Sequence, residues 1–265
     1  MAENGDVTSQ ATIPEEARAH ALIVARTEGC IAGLTTALRT FSIVDESIHT
    51  SALVSEGTVV GAGAQLGSVR GPARAILSAE RVALNVLGHL SGVATATRAL
   101  VNAVEGTGTS IVDTRKTTPG LRLLEKGAVR AGGGKNHRMG LYDAVLIKDN
   151  HIEAVGSPAE AVRRARDHVG DTTKVEVEIE DLADLESVIE AGADIVMLDN
   201  MDPGTMRAAV EQAAGRCVLE ASGGIKLETV REVAETGVDL ISVGWITHSA
   251  PALDVALDFV VDLTT

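Results

Sequence analysis

The sequence predicts an α/β protein: a barrel of six recognisable strands, hence an incomplete one, preceded by a small α+β unit. Three observations carry this. From Ser110 onward, short apolar segments alternate with amphipathic ones at the spacing of parallel βα units. Those apolar segments are continuous, as expected of strands covered on the outside by helices. Nearly every one ends in a polar residue able to do chemistry, which favours a barrel with its reactive groups at one mouth over a doubly wound sheet.

The elements follow in order. Residues 1 to about 76 are rich in Gly, Thr, Ala and Val. The run RAHALIVAR at 18–26 alternates and reads as a strand, 32–41 as a short helix, and 58–62 and 73–77 as further strands separated by glycines. Two helices are expected next: 79–90, capped by Ser78, and 92–104, capped by Ser91 and stopped by Gly106. The barrel strands are SIVDTR (110–115), AVLIKD (144–149), KVEVEI (174–179), DIVMLD (194–199), CVLEAS (217–222) and DLISVG (239–244). Helices are expected at 158–168, 182–190, 205–214 and 227–235. In the tail, Val255, Leu257, Phe259 and Val261 share one face, with Asp254, Ala256 and Asp258 opposite, which reads as a last strand returning to the N-terminal unit. The domain reading is 1–90 for the N-terminal unit, with 251–265 packing back on it, and 91–250 for the barrel.

Composition narrows the function. The 265 residues hold 37 acidic against 23 basic side chains, a net charge of −14. Such a field repels nucleic acid and anionic membrane, so neither is an expected partner. No run of about 18 apolar residues suggests a membrane span, and MAENGDVTSQ has no basic-then-apolar signal pattern. Two distant cysteines, Cys30 and Cys217, exclude a disulfide scaffold and a cysteine-rich zinc site, and fit a reducing cytoplasm. Only six of the basic residues are lysine, and an acidic, lysine-poor surface suits a salty cytoplasm. Against this background, 113–148 carries eight cations and three anions, leaving the rest of the chain at −19. A cationic island in an acidic protein points to an anionic ligand, although Arg122, Lys126 and Arg130 read as solvated helix faces.

The barrel reading brings these cations to the mouth. The first strand delivers Thr114, Arg115 and Lys116, and the second Lys148, Asp149 and Asn150. The third delivers Glu176 and Glu178 on one face, the fourth Asp199 and Asn200, the fifth Glu220 and Ser222 followed by Gly223 and Gly224, and the sixth Ser242 and Gly244. The long connection after the first strand adds Lys135, His137 and Arg138. Arg115, Lys116, His137, Arg138 and Lys148 suit a polyanion, since guanidiniums grip carboxylates and phosphates bidentately. Glu178 and Asp199 suit ribose hydroxyls or a hydrated Mg²⁺. Glycines after the fifth and sixth strands expose backbone amides, a frequent phosphate site in barrels. The implied substrate has a sugar, a phosphate and a separate acidic group.

Taken together, DTRKTTPGLR (113–122), GGGKNHRMGLYDAVLIKDNH (132–151), KVEVEIE (174–180), VMLDN (196–200), LEASGGI (219–225) and ISVGWITHS (241–249) resemble quinolinate phosphoribosyltransferase. GDVTS (5–9), GPARAIL (71–77) and SAERVALN (78–85) extend the resemblance over nearly the whole chain. It implies an N-terminal α+β sandwich domain and the incomplete α/β barrel of a type II phosphoribosyltransferase, assembled as at least a homodimer. The implied activity is phosphoribose transfer from phosphoribosyl pyrophosphate to quinolinate with decarboxylation, in NAD biosynthesis, with Mg²⁺ accompanying the pyrophosphate. By resemblance, Arg115, His137 and Arg138, helped by Lys148, hold the quinolinate carboxylates. Lys116 and Lys148 meet the donor, Glu178 and Asp199 its ribose and metal, and Ser222, Gly223, Gly224 and Gly244 its 5′-phosphate. Arg81 reaches across the dimer into the neighbouring site.

Two features depart from the resemblance. The family usually carries about two dozen further residues before the GD-T motif, where here Met1 to Asn4 precede Gly5. That implies a misplaced start or a shortened chain, with the consequence for subunit stability. Trp245 follows the last strand's glycine, where the family tends to a smaller residue, and is expected to point outward beneath a helix. Three rivals remain: a paralogous pyrophosphorylase for another ring acid, a Schiff-base lyase or aldolase using Lys148, and a non-catalytic sensor of an anionic metabolite.

Overall fold

The computed structural model describes residues 5–260. The chain forms two compact units. One takes in residues up to Arg98, 123–133 and the chain from Ser249; the other takes in 99–122 and 134–248.

In the first unit, Asp6 starts α1 (Val7–Thr12) by accepting the Thr8 and Ser9 amides, each at 3.1 Å. The alternating run forms β1 (Arg18–Ala25), followed by β2 (Gly29–Cys30), α2 (Leu34–Val44), β3 (His49–Ala52), β4 (Val59–Val60) and β5 (Gln65–Pro72). A four-stranded antiparallel sheet has β1 at its middle, between β5 and a strand at Val255–Val260, with β3 beyond β5. Leu34, Ala37, Leu38 and Phe41 form one face of α2 and bury against Ile23, Leu66 and Val69 of the sheet in the unit's core. Val261, read as part of the tail strand, lies outside the described residues.

Several expectations fail here for local reasons. Residues 73–77 are not a strand but the start of α3 (Ala73–Ala103). Pro72 ends β5 with a φ already suited to a helix, and the Ala, Arg, Leu and Glu that follow are strong helix formers. The two helices expected at 79–90 and 92–104 are this one helix. Ser78 and Ser91 cap nothing: Ser78 Oγ donates to the Arg74 carbonyl at 2.8 Å, and Ser91 Oγ meets both the amide and the carbonyl of Ala32 at 3.1 Å. Gly92 gives close approach, not a break, because a Cβ there would stand 2.1 Å from the Pro251 carbonyl oxygen. The strand expected at 58–62 shrinks to β4, paired with β2.

The first strand of the second unit is β6 (Ser110–Val112). Next in the chain is α4 (Arg122–Ala131), which apart from Arg122 belongs to the first unit. Its Lys126, expected on a solvated face, is fully buried, as is Glu125, whose carboxylate lies 2.7 Å from His89 Nε2. There follow β7 (Val145–Ile147), α5 (Asp149–Val155), α6 (Pro158–Val169), β8 (Val175–Ile179), α7 (Leu185–Glu190), β9 (Ile195–Asp199), α8 (Pro203–Ala213), β10 (Val218–Ser222), α9 (Val230–Ala234), β11 (Leu240–Ser242) and α10 (Trp245–His248). The helix expected from 205 starts earlier because Asp202 accepts the Gly204 and Thr205 amides and Pro203 opens the first turn.

All six strands are parallel, in the order β6-β11-β10-β9-β8-β7. β6 and β7, neighbours in sequence, therefore lie at opposite edges, and the barrel is open between them. Lys135 forms a single parallel bridge to Val112 on the β6 edge. Among the described residues, no helix is long and apolar enough to cross a membrane.

Candidate active site at the barrel mouth

The strand ends converge on two adjoining cavities that share Thr114, Lys116, Lys148 and Ser222. One, of about 490 Å³, is polar: Glu178, Asp199, Asn200, Gly223, Gly224, Ser242, Gly244, Trp245 and His248 complete much of its wall. The other, of about 350 Å³, is lined by Arg115, His137 and Arg138 together with the apolar Leu141, Leu146 and Met197.

Buried Asp113 builds the cationic cavity from beneath. Its carboxylate accepts the His137 amide at 2.8 Å and the Asn136 side-chain amide at 2.6 Å, fixing the segment that bridges to β6. Arg115 Nη1 is buried without a hydrogen-bond partner. Arg138 Nη1 donates to the Ala144 carbonyl at 3.3 Å, and burial, then the charge of Arg115, pushes the Arg138 pKa down. Two guanidiniums held close with one donor unused favour an anionic occupant, since an unpaired buried charge is costly.

His137 is fixed differently from the sequence reading. Its Nε2 lies 2.9 Å from a carboxylate oxygen of Glu176 and 3.5 Å from one of Glu220, while Nδ1 accepts the Arg138 amide at 2.7 Å. Burial lowers its pKa, but hydrogen bonds and charge from Glu176 and Glu220 outweigh this and push it up to about 10. The Arg138 amide, occupying Nδ1, works against the second proton. Burial in turn raises the Glu176 pKa. His137, Glu176 and Glu220 also form a cluster with the spacing of a metal site among the described residues, but the ion pairs already engage these groups. With Nδ1 accepting an amide and Nε2 facing two carboxylates, both ring nitrogens are engaged and His137 offers the cavity its ring.

In the polar cavity, the Lys148 ammonium is paired with the Glu178 carboxylate. Lys148 is not a buried strand lysine: it follows β7, its side chain is 45% exposed, and its amide donates to His151 Nδ1 at 3.0 Å. Asp199 accepts the Asn200 side-chain amide at 2.7 Å, and Asn200 takes a left-handed φ of 54°. Gly223 has φ +95°, and a Cβ on it would stand 2.2 Å from Asn200 Oδ1, so no larger residue fits that turn. Ser242 is buried with its hydroxyl unpartnered. Glu178 and Asp199 bring carboxylate oxygens to the cavity wall, the donor type that a hydrated hard cation takes.

The barrel-half residues given a substrate role by the resemblance, with Thr114 and Ser242, therefore line these cavities, whereas Lys135, Asp149, Asn150, Glu176 and Glu220, also expected at the mouth, are not among the lining residues. Arg81 lies exposed on α3 in the first unit and is not among the lining residues. Trp245 contradicts expectation: it lines the polar cavity, and its indole N–H donates to the Ile225 carbonyl at 3.0 Å. His248, His151 and the apolar wall of Leu141, Leu146 and Met197 were not singled out. Only the KDNH and THS contexts hinted at the histidines, and apolar residues at strand ends carry no chemical signal.

Comparison with known proteins gives one consistent picture. A family model described as quinolinate phosphoribosyl transferase, C-terminal domain, matches residues 93–258, and its N-terminal counterpart matches 6–91. The chain is 46% identical over 254 residues to a Bacillus subtilis protein named probable nicotinate-nucleotide pyrophosphorylase [carboxylating], covering 96% of this chain and 88% of that one. It is 44% identical to a protein of the same name from Methanothermobacter thermautotrophicus, covering 96% and 92%. The solved structure of the nicotinate-nucleotide pyrophosphorylase from Francisella tularensis superposes with a TM-score of 0.93 at 42% identity, covering 97% and 91%.

Proposed function

This chain belongs to the quinolinate phosphoribosyltransferase family, and from that premise we propose that it transfers phosphoribose from phosphoribosyl pyrophosphate to quinolinate, releasing pyrophosphate and CO₂ and leaving nicotinate mononucleotide. The observation that carries the reading is the pairing of a guanidinium-lined, apolar-walled cavity with a polar, glycine-rich one across Lys116 and Lys148. A flat ring diacid suits the first and a sugar phosphate the second.

The two occupants meet at the shared lysines. Arg115 and Arg138 grip the ring carboxylates, the His137 imidazole completes the wall, and Leu146 and Met197 pack on the ring. Ser222, Gly223, Gly224, Ser242 and Gly244 surround the donor's 5′-phosphate, while Glu178 and Asp199 face its ribose. The ring nitrogen attacks C1′ as the C1′–oxygen bond to pyrophosphate breaks. Positive charge develops on the ribose, where the carboxylates stabilise it, and negative charge on the leaving group, where Lys116 and Lys148 do. Mg²⁺ held through the pyrophosphate, with Glu178 and Asp199 as its protein oxygens, would add positive charge beside the leaving group. Alkylation makes the ring cationic. The bond from the neighbouring carbon to its carboxylate then breaks, its electron pair stays on the ring carbon, CO₂ departs, and that carbon takes a proton from water. Decarboxylation thus follows transfer, and CO₂ released without donor would contradict it.

A Schiff-base role for Lys148 is disfavoured, since its ammonium sits in an ion pair and not in the desolvated apolar pocket such a nucleophile needs. The working unit in this proposal is a cytoplasmic homodimer in which the exposed Arg81 reaches the partner's site. The deciding experiment is an ultraviolet assay at high salt with quinolinate, phosphoribosyl pyrophosphate and Mg²⁺, with nicotinate as parallel acceptor. Turnover with quinolinate alone is expected; turnover with nicotinate or with neither would sink the proposal.

A further inference from the structure

The short helix α10 joins two loops of the mouth. At its first residue, the Trp245 indole N–H donates to the Ile225 carbonyl at 3.0 Å, reaching the end of the loop that holds Ser222, Gly223 and Gly224. Two residues on, the Thr247 hydroxyl donates to the Lys116 carbonyl at 2.8 Å and shares its proton with the Gly244 carbonyl at 3.0 Å. Thr247 and Ile225 are both buried. Trp245 also lines the polar cavity, so its ring stands where a ligand of that cavity would meet it. The glycines it joins both have positive φ, and a glycine backbone has many conformations to lose on ordering.

We propose that Trp245 is a positioning residue for the phosphate-bearing substrate: by tying the 222–225 loop to α10, it holds the glycine backbone of the polar cavity in its binding geometry before the ligand arrives. Pre-organisation of this kind strengthens binding by removing an ordering cost from the binding step. The inference rests on the reading of that cavity as the phosphoribosyl pyrophosphate site. Thr247 acts in the same way on the 114–116 turn.

Trp245 is the chain's one tryptophan, so emission excited at 295 nm reports this junction alone. The test titrates phosphoribosyl pyrophosphate with Mg²⁺ into wild type, Trp245→Phe, Trp245→Ala and Thr247→Val by calorimetry, with quinolinate titrated separately. Wild-type emission is expected to change on donor binding. Trp245→Phe keeps most of the ring and loses the N–H donor, and should weaken donor binding about fivefold, the worth of one neutral hydrogen bond. Trp245→Ala should weaken it further, and Thr247→Val comparably to the Phe variant. Quinolinate affinity should hold in both Trp245 variants, where the donor KM should rise by a larger factor than kcat falls; Thr247→Val, which frees the 114–116 turn shared by the two cavities, should weaken both ligands. Donor affinity untouched in both Trp245 variants would overturn the role of Trp245 while leaving the donor site standing, as would a parallel loss of donor and quinolinate binding in them. If wild type took up no donor at all, the reading of the cavity would fail and the role of Trp245 with it.

Discussion

His137 places its Nε2 2.9 Å from the buried carboxylate of Glu176, so the imidazole of the acceptor cavity is held by an acid outside that cavity's lining. Glu220 stands on the same edge of the ring at 3.5 Å. The pair keeps the imidazole in one orientation and biases it toward its charged form.

That bias gives the first prediction. His137 should titrate well above its ordinary 6.5, toward about 10, because Glu176 and Glu220 outweigh the effect of burial. The folded value exceeds the unfolded one, so the stabilisation is fully present below pH 6.5 and is lost as pH rises through the folded pKa. Glu220→Gln removes one carboxylate and should bring the value down. Ring-nitrogen NMR across pH 5–11 reads both, and a wild-type ring that turns neutral by about pH 6.5 would refute the prediction.

The guanidiniums of the acceptor cavity should be individually necessary. Arg115→Ala and Arg138→Lys are each expected to lower kcat/KM for quinolinate by roughly 10- to 100-fold, the range for hydrogen bonds to charged groups. Lysine should not rescue Arg138, since it lacks the planar fork. The donor KM should move far less in either variant, and an equal rise in both substrates' KM values would count against this assignment.

Gly223→Ala should damage the donor side. The new methyl would stand 2.2 Å from Asn200 Oδ1 at a φ of +95°, so the loop must shift. The expected result is a raised donor KM with quinolinate binding kept, and a stability loss of about 1–2 kcal/mol in urea unfolding. Removing the clash with Asn200→Gly should recover only part of the loss, because the backbone angle remains unfavourable.

Gly92→Ala should act on stability alone. Its methyl would meet the Pro251 carbonyl oxygen at 2.1 Å, forcing apart α3 and the tail that leads into the Val255–Val260 strand. A loss of roughly 1–3 kcal/mol is expected, seen as a lower Tm, with quinolinate affinity in the surviving protein unchanged.

The barrel was legible because its strands are short apolar blocks, nearly all with a polar residue at or near the end, and those polar residues are where the chemistry lies. Arg115, Lys148, Glu178, Asp199 and Ser222 could all be found this way. The N-terminal unit hid more. Gly67 and Gly71 interrupt β5 at close approaches to Ser51 and Ile48, so the strand does not read as one. Ser78 and Ser91 looked like caps because local pattern does not reveal that each hydroxyl finds a carbonyl acceptor within the folded unit. Lys126 looked solvated because a charged residue on an amphipathic helix usually is. Trp245 was misplaced because the sequence cannot say which way a side chain turns at the end of a strand; the Ile225 carbonyl decides that.

The route of the chain has a further consequence. Residues 123–133 belong to the first unit although they lie in sequence between β6 and β7 of the second. A gene fragment for 99–248 would carry α4 away from His89, leaving Glu125 and Lys126, fully buried in the whole chain, in foreign surroundings. A fragment for the first unit would need three separate stretches of gene. Neither half can be lifted out by one cut at each end, so recombination between genes would tend to inherit the two units together. The single crossing that trades a barrel between enzymes joined end to end is closed to this chain.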